Sequence, residues 1–142
     1  MRIGRFIALL VLSAVACRED FETSYRTYHD AVADGAIARG WLPAWLPPTA
    51  TDIVEWHNLD TNATFASFNY GSAATLTFLS KCEPTSRRPL RSQPRSASWP
   101  RDWSDLQFYS CVEKTRFADG RVEVRETWVA IDRKRTRAYF WR

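Results

Sequence analysis

The sequence predicts an α+β domain, in which an N-terminal amphipathic helix and a proline-rich strap pack on an antiparallel sheet of about five strands with one disulfide. Three observations predict it. Phe21, Tyr25, Tyr28 and Val32 recur at helical spacing, with Glu22, Arg26, Asp30 and Asp34 between them. Residues 41–48 read W-L-P-A-W-L-P-P, which no helix tolerates. The last third alternates apolar and polar residues around turn signals, as half-buried strands do.

The helix is predicted over residues 23–38, with Gly40 as its stop. The strap follows as an extended segment, because its prolines remove N–H donors and fix φ while its Trp and Leu side chains pack. Segments 53–59 and 63–70 flank Asp60-Thr61-Asn62, whose short polar side chains favour a turn, so they read as a hairpin. Residues 72–80 read as a short helix or another strand. Segments 106–116, 121–131 and 136–141 read as three strands, the first two joined through Asp119-Gly120 and the last two through residues 132–135. In the middle one, Val122, Val124, Glu126 and Trp128 alternate with Glu123, Arg125 and Thr127.

Length and composition limit the remaining choices. The 142 residues are 45% apolar, with seven Trp, eight Phe and five Tyr, enough for one core and one domain. The formal charge is +4, and Arg2 and Arg5 account for two of those charges, so the rest of the chain carries +2. That excess is too small to point to nucleic acid.

Residues 1–16 have the three parts of an export signal: Arg2 and Arg5, an apolar run over residues 6–12, then small residues leading to Cys17. The run is too short to span a bilayer. Ala14-Val15-Ala16 also fits the A-x-A pattern of ordinary signal cleavage. The whole segment resembles the leader of bacterial lipoproteins, with Ala14 where leucine is usual. That resemblance implies lipidation of Cys17, a mature domain of residues 17–142, and an envelope address facing the periplasm. Arg18 after the cysteine resembles the outer-membrane sorting pattern. Lipidation would leave Cys82 and Cys111 as an even pair in an oxidising compartment, and they are predicted to form a disulfide; two free buried thiols are the alternative.

Residues 40–62, with G-W-L-P-A-W-L-P and A-T-D-I-V-E-W-H-N-L-D-T-N, resemble a family of small bacterial envelope proteins, the YbbD head domain. The resemblance implies an exported domain and transfers no catalytic residue.

The chemistry-bearing residues are few. His29 and His57 are the two histidines, and a metal site would need them to converge with Asp30, Asp52, Glu55 or Asp60, at spacings that form no metal motif. No serine sits in a nucleophile elbow, and there is neither a P-loop nor a dinucleotide fingerprint. No metal, cofactor or catalytic residue is assigned. A small hydrolase using Asp60 and His57 is the enzyme alternative, and it requires those side chains within hydrogen-bond reach. The distinctive feature is the surface loop 84–101, which carries four prolines, Arg87, Arg88, Arg91, Arg95 and Arg101, and no acid. Its guanidinium groups suit anionic lipid, a wall polymer or an acidic envelope protein, with Trp99 and Trp103 as aromatic neighbours. The leading expectation is therefore a non-enzymatic, lipid-anchored binding domain. An inhibitor or immunity-type protein is the second.

Overall fold

Alternation along residues 51–58 sets the architecture: Ile53, Glu55 and His57 are buried, while Val54, Trp56 and Asn58 are half-buried. The computed structural model describes residues 19–86, 94, 96–116 and 119–142. In chain order its elements are β1 (Asp20–Thr27), α1 (Tyr28–Ala33), β2 (Thr51–Asn58), β3 (Thr64–Asn69), a 3-10 helix (Ala73–Lys81), β4 (Cys82–Pro84), β5 (Gln107–Arg116), β6 (Val122–Asp132) and β7 (Arg137–Trp141). The strands form one antiparallel sheet in the order β1-β2-β3-β7-β6-β5-β4.

This corrects the α+β expectation, since the described residues are mostly β, with seven strands and helical segments of only six and nine residues. The helix predicted over residues 23–38 is mostly something else. Residues 20–27 pair with β2, Phe21 opposite His57 and Tyr25 opposite Ile53. Phe21 and Tyr25 are four apart, a spacing that a strand of period two places on one face as readily as a helix does. Thr27 starts α1, because its hydroxyl accepts from the Asp30 N–H while the Asp30 carboxylate accepts from the Thr27 N–H. Gly35, in left-handed backbone at φ 78°, ends it, with the Ala36 N–H bonded to the Ala31 carbonyl and the Gly35 N–H to that of Val32.

Both faces of the sheet are covered. Ile53, Phe68, Val129, Ile131, Ala138 and Phe140 pack on one face with Ala31, Leu42 and Leu46 from α1 and the strap and with Leu76 and Phe78 of the 3-10 helix. The other face holds Phe65, Ala130, Tyr139 and Trp141 under Trp99 and Trp103. Each fully buried large side chain contributes roughly 1.5–3 kcal/mol. Trp99 and Trp103, read from sequence as aromatic neighbours available to a partner, are each 6% exposed and close this second face. A sheet with two apolar faces needs two covers. Cys82 lies opposite Cys111 across β4 and β5, and the two form the predicted disulfide.

Candidate functional site

At one end of the first face, where β7 stops and the β2–β3 turn and β6 run on, the sheet leaves a cleft of about 480 Å³. β2 and its turn line it with His57, Asn58, Leu59 and Asn62, and β6 with Glu123, Arg125 and Glu126. Arg142 lies at its floor, its backbone N–H and carbonyl both bonded to Thr64. Trp41 arrives from the start of the strap and Arg39 from just before it. Their placement follows from Gly40, also at φ 78°: the Trp41 N–H bonds the Ala36 carbonyl and the Gly40 N–H that of Ile37, turning the chain sharply over the sheet end. The Arg142 guanidinium donates to the Gly40 carbonyl and fastens the strap to the end of β7.

Aromatic stacking organises the buried side of the cleft. The Trp41 ring lies 3.9 Å from the His57 ring at 17°, and Phe21 lies 5.3 Å from the same imidazole at 16°. The Arg39 guanidinium sits 4.1 Å from the Trp41 ring centroid. Trp41 thus has imidazole and guanidinium as its stacking partners, which leaves it poorly placed as a platform for a sugar ring.

Beneath this stack is an acid–imidazole pair. Glu55 is fully buried, its Oε1 lies 2.7 Å from His57 Nδ1, and its Oε2 has no hydrogen-bond partner among the described residues. Burial pushes the Glu55 carboxyl up to about 8, and burial followed by the Arg39 charge pushes His57 down. Both directions favour neutral partners joined by one hydrogen bond. A general base exposed to substrate would need the carboxylate at the surface of the cleft, and Glu55 is beneath it.

Three guanidinium groups, of Arg39, Arg125 and Arg142, share the cleft's polar surface with the carboxylates of Glu123 and Glu126. Arg39 holds Asp34 at 2.6 Å, and Tyr25 donates to the same carboxylate at 2.8 Å. Those two hydrogen bonds, Tyr25 first, pull Asp34 below its ordinary range. Arg125 pairs with Glu123 two residues away on β6. Arg142 has a carbonyl rather than a carboxylate as its hydrogen-bond partner, and burial, then the charge of Arg125, lowers its pKa. The charges of Glu113 and Glu123 act on Arg142 in the opposite direction, so the cleft end of the sheet holds a partly desolvated group of mixed charges.

The residues singled out from sequence are dispersed. His57 lines the cleft, but its partner is Glu55, not Asp60. Asp60 is exposed in the β2–β3 turn, where its carboxyl meets that of Glu19 and raises it. The Asp60–His57 hydrolase arrangement is therefore not formed. His29 is exposed on α1, its ring edge-on to Tyr28. Asp30 is spent on the cap, and Asp52 is exposed at the start of β2. Among the described residues, no three His, Cys, Asp or Glu side chains are grouped to hold a metal ion, and no helix is long and apolar enough to cross a membrane. Arg101 is exposed, while Cys17, Arg87, Arg88, Arg91 and Arg95 lie outside the described residues. Arg39, Arg125 and Arg142 escaped sequence reasoning, because they are separated along the chain and only the strand order brings them together.

No curated protein and no solved structure matches the chain. Arg39, Trp41, Glu55 and His57 fall within residues 19–69, the segment of β1, α1, the strap, β2 and β3, whereas Arg125 and Arg142 fall beyond it. Residues 19–69 match the family model described as the YbbD head domain, in agreement with the resemblance of the strap and hairpin motifs, and the match is consistent with an envelope-type domain.

Proposed function

We propose that this protein is an exported, non-enzymatic binding domain, anchored to the envelope membrane through a lipid on Cys17, whose ligand is an anionic partner carrying carboxylate or phosphate groups. One observation carries the reading: Arg39, Arg125 and Arg142, from three separate parts of the chain, line one cleft, and Arg142 is partly buried beside Arg125 with, among the described residues, the Gly40 carbonyl as its hydrogen-bond acceptor. Arginine forks suit carboxylate and phosphate oxygens, and a partly desolvated fork holds them more firmly than an exposed one. Glu123 and Glu126 share the cleft, so binding is selective for anions that displace those carboxylates and is weakened by salt. Arg87, Arg88, Arg91, Arg95 and Arg101 are proposed as a second, separate cationic contact.

Titration with polyacrylate, a polycarboxylate without a peptide backbone, tests this against uncharged polyacrylamide. The reading expects salt-sensitive binding of the first alone, lost when Arg39, Arg125 and Arg142 are all changed to Gln. Undiminished binding by that variant would remove the cleft as the contact.

A second reading, an inhibitor or immunity-type protein, is favoured by the far half of the β5–β6 hairpin. There the two strands run on past β4 and β7, and Val112, Val122 and Val124 are about half exposed. It expects one stoichiometric partner whose binding resists salt and fails on Val124→Lys.

A further inference from the structure

The two edges of the sheet are built differently. β4, at one edge, has three residues and ends in Pro84, which has no N–H to offer a further strand. β1, at the other, has eight residues, D-F-E-T-S-Y-R-T, with neither proline nor lysine, and pairs with β2 in continuous register from Asp20 opposite Asn58 to Tyr25 opposite Ile53. Among the described residues no strand covers its outer edge. The Leu59 N–H donates to the Glu19 carbonyl, which sets the alternation: Phe21, Thr23 and Tyr25 bond toward β2, while Asp20, Glu22 and Ser24 turn their N–H and C=O groups outward. Phe21 stands on this edge 44% exposed. A long, regular edge with an exposed aromatic ring is a place where chains pair.

We propose that the strand this edge takes is β1 of a second copy of the chain, running antiparallel about a twofold axis at Thr23. The residues of β1 are complementary to their own reverse. That register sets Asp20 opposite Arg26 of the second copy, Phe21 opposite its Tyr25, Glu22 opposite its Ser24 and Thr23 opposite its Thr23. Arg26 and Glu22 are exposed and, among the described residues, have no ion-pair partner, and Asp20 accepts from the neutral amide of Asn58 at 2.6 Å. In the paired strands Arg26 meets Asp20 directly and Glu22 on the diagonal. A parallel pairing of the two strands in register would set like charges against each other. The outward main-chain groups of Glu22 and Ser24 fall opposite each other and bond, which leaves Thr23 at the centre of a close, non-bonded pair. Phe21 and Tyr25 lie on one face of the strand, so the exposed side of the Phe21 ring is covered across the new ladder. The pairing goes beyond the anion-binding reading and does not depend on it.

The test places one cysteine at a time in the full chain. Thr23→Cys is expected to give a disulfide-linked dimer under mild oxidation, read on non-reducing gels, because the Cα atoms of a close antiparallel pair lie about 4.5 Å apart. Ser104→Cys, exposed and away from β1, is expected to give about tenfold less. Adding Arg26→Asp to Thr23→Cys should lower the linked fraction severalfold, and adding Asp20→Arg as well should return most of it. Sedimentation equilibrium of the chain without an added cysteine, in density-matched detergent, should show monomers and dimers in an equilibrium that Arg26→Asp weakens about tenfold. A chain that stays monomeric at concentrations on the order of 100 μM overturns the pairing. So does equal linking at Thr23 and Ser104, or a charge swap that restores nothing. Linking by Ser24→Cys in place of Thr23→Cys overturns the register, and a Thr23→Cys adduct with a different protein overturns the second copy as the occupant.

Discussion

His57 Nδ1 lies 2.7 Å from Glu55 Oε1, two positions along the same buried face of β2, with Trp41 stacked on the imidazole. The pair links the cleft to the core. One side of it meets Trp41, under the Arg39 guanidinium, and Glu55 is sealed below.

Ionising Glu55 is unfavourable in the folded chain, which gives a pH dependence of definite sign. Its carboxyl is held at about 8 against 4.5 without burial, so the folded chain keeps a proton there that the unfolded chain releases. The stabilisation is complete below 4.5 and is lost as pH rises to about 8. His57 acts in the opposite sense, its contribution being complete above 6.5 and lost as pH falls below it. Urea unfolding of wild type and Glu55→Gln at both ends of the Glu55 interval is expected to show wild type losing on the order of a few kcal/mol relative to the variant at the alkaline end. Parallel profiles would contradict the neutral pair.

Reduction of the Cys82–Cys111 bridge, which joins residues 29 apart, is expected to lower unfolding free energy by about 3.5 kcal/mol. Denaturant midpoints with and without reductant measure it, and Cys82→Ser with Cys111→Ser should reproduce the loss. An unchanged midpoint would mean that the bridge does not constrain the unfolded chain.

Thr27→Ala removes the side-chain half of the cap on α1 and is expected to cost about 1 kcal/mol in denaturant unfolding. Thr27→Ser, which keeps the hydroxyl, should recover most of it.

Mass spectrometry of the protein extracted from membranes tests its address. The expected mature chain begins at Cys17 and carries acyl groups on that residue alone. A free Cys17 thiol, or a start at another residue, contradicts the anchor.

The hairpins were legible in sequence because turn residues and alternation coincide: β2–β3 around Asp60 to Asn62, and β5, β6 and β7 around Asp119-Gly120 and residues 132–135. β1 was not, since the four-residue interval between Phe21 and Tyr25 satisfies both periods, and the cap at Thr27 and Asp30 was the overlooked signal. β4 has only three residues and acquires its place from the bridge and its pairing with β5. Glu55 lay within a buried alternation beside Ile53 and His57, a local sign that its carboxyl is desolvated. The guanidinium cluster had no local sign at all, because Arg39, Arg125 and Arg142 become neighbours only once β7 is inserted between β3 and β6.

The salt dependence of polyacrylate binding by wild type and Arg142→Gln tests the anion-binding cleft most directly. The account predicts weaker binding by the variant and a shallower decline with added salt, because a guanidinium that meets the ligand is gone. Coincident curves for the two proteins would contradict it.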